Sequence, residues 1–122
     1  MSWKAELPRA EELAAHLAGM GAVELQRLFS CVSLRLAGVP FALLYDGTLY
    51  LRVDDLSRPA FIGAGMQPFT YASRGRTVVM ASYYTAPADV LEEVGELQRW
   101  CRDAYRAALA GAGGRTRRAR RG

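Results

Sequence analysis

Asp46-Gly47 stands between two apolar runs, Gly38 to Tyr45 and Thr48 to Val53. Asp-Gly in that setting calls for a two-residue type I′ turn, with φ > 0 at both central positions and a twist matched to the flanking strands. Such a turn fixes register. Tyr45 faces Thr48, Leu44 faces Leu49, Leu43 faces Tyr50, Ala42 faces Leu51 and Phe41 faces Arg52. Side chains alternate between faces along a strand, so Ala42, Leu44, Leu49, Leu51 and Val53 share one side, which reads as core. Phe41, Leu43, Tyr45, Thr48, Tyr50 and Arg52 share the other. An antiparallel sheet wet on one face carries polar residues there, and this face is mostly aromatic. A helix, a partner protein or a ligand must cover it, and the chain's own C-terminal segment is the intramolecular choice. Phe41, Leu43, Tyr45 and Tyr50 form the candidate protein interface.

Around this hairpin the pattern gives an α+β domain of order α-β3-α-β2-α. Met1 to Leu7 reads as a loose leader. A helix follows from Pro8, with Ala10, Leu13, Ala14 and Leu17 at helical spacing and Gly19 and Gly21 ending it. Leu25 to Ala37 reads as one extended segment, with Val32, Leu34 and Leu36 inward. After Val53, "DDLSRPAFIGAG" suits a short capped helix. Phe69 to Ala72 and Arg76 to Tyr84 flank "SRG" as a second hairpin. Pro87 opens a helical stretch, and the main C-terminal helix runs from about Glu96 to Ala110, with Leu97, Trp100, Cys101, Ala104 and Ala108 on one face. The expectation is a two-layer sandwich, about five antiparallel strands with helices on one face. Residues 1–110 form the domain and 111–122 a disordered Arg-rich tail.

The net charge of +4 hides an asymmetry. All 12 acidic residues and 11 of the 16 basic ones precede Gly114, whereas the last eight residues hold five arginines and no acid. A near-neutral body therefore carries a basic end. Arg115, Arg117, Arg118, Arg120 and Arg121 could neutralise phosphates without reading sequence, or simply keep the chain soluble. No helix-turn-helix or zinc finger accompanies them.

Nothing in the sequence assembles a catalytic centre, and no cofactor or metal is expected. His16, the only histidine, lies on the helix face opposite Leu13 and Leu17. Cys31 and Cys101 lack ligand spacing and read as reduced, buried thiols. Asp54-Asp55 and Glu92-Glu93-Glu96 sit where helices begin, as caps and dipole charges. No apolar run is long enough to span a membrane, and no secretory leader pattern is present. A cytoplasmic protein is expected.

The strings "QRLFS", "GVPFALLYDGTLYLRVDD" and "PFTYASRGRTVVMASYYTAP", with Trp100, Ala104, Ala107 and Ala108, occur in an order and spacing that resemble the N-terminal domain of the TfoX/Sxy competence regulators. Leu28 and Ser30 stand where that family typically has Met and Gly, and the second domain of full-length regulators does not follow. The resemblance implies a secretion-chaperone-like α/β fold, frequent dimers and a role in transcription of competence genes. It brings no catalytic residues. The chain is thus expected to be a non-enzymatic regulatory or adaptor module, a likeness that implies a homodimer with a regulatory protein partner. The alternative is non-specific nucleic-acid binding through the tail.

Overall fold

The computed structural model describes residues 3–121, with side chains through Gly111. Six strands form one antiparallel sheet: β1 (Val23–Leu28), β2 (Cys31–Leu36), β3 (Val39–Tyr45), β4 (Thr48–Arg52), β5 (Pro68–Ser73) and β6 (Arg76–Thr85), in the order β1-β2-β3-β4-β6-β5. The helices are α1 (Trp3–His16), α2 (Arg58–Gly63), α3 (Ala88–Leu91) and α4 (Val94–Arg121), with a 3₁₀ turn at Ala18–Met20. The architecture is the expected α+β two-layer sandwich. Beyond Gly111 the expected tail lies outside the described side chains.

The Asp46-Gly47 turn has the predicted geometry, φ 51° and 76°, and the register from Tyr45–Thr48 to Ala42–Leu51 follows. Ala37-Gly38 and Arg74-Gly75 make two-residue turns of the same kind, positive φ at both residues. A fourth two-residue turn, Phe29-Ser30, joins Leu28 to Cys31. It divides the expected single strand Leu25–Ala37 into β1 and β2, so the sheet has six strands rather than about five. Lacking glycine, this turn gives no sequence signal.

One helical layer covers one face. Ala10 and Leu13 of α1, Phe61 of α2, Val90 of α3, and Leu97, Cys101, Ala104 and Ala108 of α4 pack with Val32, Leu34, Ala42, Leu44, Leu49, Leu51 and Val53 in one core. Leu13, Leu34, Leu44, Leu51 and Leu97 are completely buried, each contributing about 1.5–3 kcal/mol.

Helix α1 starts at Trp3, so the segment read as a leader is helical and Pro8 lies inside it. Tertiary contacts outweigh the hydrogen bond that proline removes. Trp3 and Leu7 pack against the core. Glu6, only 3% exposed, accepts N–H bonds from Asp46 (2.9 Å) and Gly47 (3.0 Å). The first helix is thereby bolted to the turn that sets the sheet's register.

Phe41 does not share the second face. Between β2 and β3 the register slips: Leu34 faces Ala42 but Arg35 faces Pro40, leaving Phe41 as the extra residue of a bulge. The bulge turns both Phe41 and Ala42 toward the helices. Phe41 is 0% exposed and meets Tyr105 of α4 edge-on at 6.3 Å.

The second face is covered by the β5–β6 hairpin, and α4 lies on the other side of the sheet. Pro68 pairs with Tyr84 but Phe69 pairs with Met80, so residues 81–83 of β6 are skipped and the hairpin bends. Phe69 comes to rest on Tyr50 (4.7 Å between ring centroids) and Tyr45 (5.8 Å). Cys31, Leu43, Phe69 and Tyr83 form a second buried cluster, with Tyr45, Tyr50 and Met80 around it.

Asp54 ties β4's end to α4. Its Oδ1 accepts from Ser57 N (3.0 Å) while its own N–H donates to Ser57 Oγ (3.0 Å), and Arg106 donates to both carboxylate oxygens at 2.8 and 3.2 Å. The Arg106 hydrogen bond holds the Asp54 carboxyl well below the usual carboxylate range, with burial opposing and the Ser57 amide assisting. A depressed carboxyl contributes stability above its unfolded pKa and loses it as pH falls through the folded one. Asp54→Asn should therefore lower the urea midpoint at neutral pH, and its deficit should shrink in strong acid. A deficit that stays constant down to pH ~2 would contradict this linkage.

Candidate functional site

Bending the β5–β6 hairpin across the second face leaves an apolar groove of about 450 Å³. Its floor is Cys31, Leu43, Phe69 and Met80. One wall is Leu28, Phe29 and Ser30 of the β1–β2 turn, and the opposite wall is Tyr71, Ala72 and Ser73 of β5. A mostly apolar cleft of this size with a few polar groups at its rim matches the usual form of a binding site.

Phe29 is the group the fold leaves unexplained. It holds φ at 55° and is 86% exposed. Left-handed backbone costs a non-glycine residue roughly 1–2 kcal/mol, and among the described residues no ring contact or buried position repays it. Leu28 and Tyr71 beside it are also exposed, so the two walls present large apolar side chains to solvent.

Of the residues proposed from sequence, the groove brings together Leu43 on its floor and Tyr45 on its margin. Tyr50 lies behind them, stacked edge-on against Phe69. Phe41 is in the main core. Arg115, Arg117, Arg118, Arg120 and Arg121 lie outside the described side chains. Sequence reasoning missed Leu28, Phe29, Phe69, Tyr71 and Met80. No local signal marked them, because "LFSC", Leu28 to Cys31, runs without glycine through the Phe29-Ser30 turn.

A second recess, about 540 Å³, lies between α2 and α4 and is lined by Leu56, Phe61, Trp100 and three arginines. Two of those cations are spent within the protein: Arg106 on Asp54 and Asp103, Arg99 on Glu96. Among the described residues no group of three or more His, Cys, Asp or Glu side chains is placed to hold a metal ion. None of the helices searched is long and apolar enough to cross a membrane.

Both thiols are free and buried. Burial pushes Cys101 up to about 12. Burial, with the Glu6 carboxylate second, also raises Cys31 on the groove floor. Thiolate is the reactive form, so both should be alkylated far more slowly near neutral pH in the folded chain than in urea. Rapid modification of Cys31 would contradict this. Phe29→Asn should leave the thermal midpoint unchanged or raised, because asparagine tolerates left-handed backbone and no packed ring is lost. A marked drop would show that the ring supports the fold.

A family model described as the TfoX N-terminal domain matches residues 15–108, from the last turn of α1 to the middle of α4. No curated protein matches the chain. The match covers the whole sheet, the second apolar cluster, the main core apart from its α1 residues before position 15, and the groove between the Phe29 turn and β5. The chain belongs to the TfoX N-terminal domain family.

Proposed function

We propose that this chain is a non-enzymatic regulatory or adaptor module that works through protein contacts on the second face of its sheet. The family is a regulatory, competence-related one, and a link to transcription of competence genes is the role it suggests here. The observation that carries the reading is Phe29, a large aromatic held out of the protein in strained backbone at the edge of an apolar groove. Exposed apolar walls favour a macromolecular partner. A homodimer is the simplest assembly, built on Leu43, Tyr45 and Tyr50 and their neighbours Leu28, Phe29 and Tyr71. A standard interface of about 800 Å² per partner is within reach of such a face. We place the protein in the cytoplasm.

The five arginines of the last eight residues support a second reading, sequence-blind nucleic-acid binding through the tail. Capture of partners from the native cell, with and without nuclease, separates the two. Wild type should retain protein that survives nuclease, and Phe29→Asp, at an exposed position, should lose it. Capture that Phe29→Asp leaves intact would overturn the second-face reading. Capture abolished by nuclease and by removal of residues 115–122 would establish the tail instead. Light scattering at micromolar concentration tests assembly: a wild-type dimer that Phe29→Asp dissociates is expected, and a wild-type monomer rules the homodimer out.

A further inference from the structure

We infer that the groove takes an extended segment of a partner protein carrying one large apolar side chain and, about three or four residues away, carboxylates. This rests on the reading that the second face is a protein-contact surface, and it names the chemistry of what binds there.

Three observations carry it. The floor and walls contain no charged side chain. The β5 wall, however, adjoins arginine. Ser73 pairs with Arg76 across the β5–β6 hairpin, so Arg76 shares the face of Ser73, Tyr71 and Phe69, and Arg74 sits at the turn between them. Neither forms an ion pair among the described residues. Arg27, next to the opposite wall, donates from Nε to the Phe29 carbonyl (3.3 Å), but its guanidinium lies over the Trp3 ring of α1, on the helical face it shares with Val32. Glu6, whose carboxylate acts on Cys31 of the floor, is already bonded to two amides of the β3–β4 turn. An apolar trench with cations at its open end is complementary to an apolar anchor followed by acid.

The spacing comes from the strand. Phe69 on the floor and Ser73 at the basic end are four residues apart, about 13 Å in extended chain. The backbone supplies the rest of the affinity. β5 ends the sheet, so one row of its N–H and C=O groups faces outward. A segment added to that edge would direct alternate side chains into the groove.

The test is selection of a phage-displayed random peptide library on the full chain. Enriched peptides should carry Leu, Phe or Met with Asp or Glu about three or four residues away. Their affinity should fall on the order of tenfold for Arg74→Glu combined with Arg76→Glu, two exposed ion pairs being lost and reversed. Ser73→Trp, which fills the groove from an exposed strand position on the face of Tyr71 and Phe69 that suits tryptophan, should abolish binding. Groove-dependent peptides without acidic residues would overturn the charge assignment and leave the contact surface standing. Peptides indifferent to Ser73→Trp, or no enrichment at all, would overturn the inference. The capture experiment with Phe29→Asp decides the broader reading separately.

Discussion

Phe69 against Tyr50, 4.7 Å between ring centroids, is the contact on which the second face depends. A six-stranded sheet with helices on one side leaves the other side to water, and this sheet is too apolar there for that. Among the described residues no second helical layer covers that side. It answers by skipping three residues of β6 in the pairing, so that the terminal hairpin folds over its own sheet and buries Leu43 and Cys31 beneath Phe69. That cover is narrower than the face. The groove is what it leaves open, between the hairpin and the β1–β2 turn.

The other side is held by polar ties that link distant segments to the turns. Glu6 bonds α1 to Asp46 and Gly47, forty residues on. Arg106 bonds α4 to Asp54, where β4 has just ended. Hydrogen bonds to charged groups contribute about 1.5–3 kcal/mol, the part-buried Glu6 pair nearer that range and the exposed Arg106 pair less after solvent screening. These ties fix where the helices sit as well as adding stability. They also set the groove's electrostatics. Glu6 spends its charge on the turn, and Arg74 and Arg76 at one end of the groove keep theirs.

The glycine-marked turns were legible because residues with φ > 0 have a short list of tolerable side chains. From Asp46-Gly47 alone the register of β3 and β4 followed. Phe29-Ser30 closes an equally short gap with positive φ at Phe29 but not at Ser30, and without glycine it reads as strand interior. Phe41 was assigned to the wrong face because alternation holds only while pairing is regular, and a single bulge reverses it. The cover of the second face was misassigned to the C-terminal segment for a related reason. The apolar side of α4 was visible, but the skipped residues that bend β6 leave no periodic trace. Pro8 and the short N-terminal stretch suggested a loose leader, whereas Glu6 and Trp3 acquire partners only in the folded chain. The groove combines three of these silent features, so local pattern could name Leu43 and Tyr45 but not the walls that make a site of them.

Nuclear Overhauser contacts from the Phe69 ring test the account most directly. The fold described here places that ring over Tyr50 and Tyr45, with Cys31 and Leu43 in the same cluster, so cross-peaks from Phe69 to both tyrosines and to Leu43 methyls are predicted. Phe69 contacts confined to β5 and β6 would contradict it, with Tyr45 and Tyr50 then free to solvent and no groove between the hairpin and the Phe29 turn.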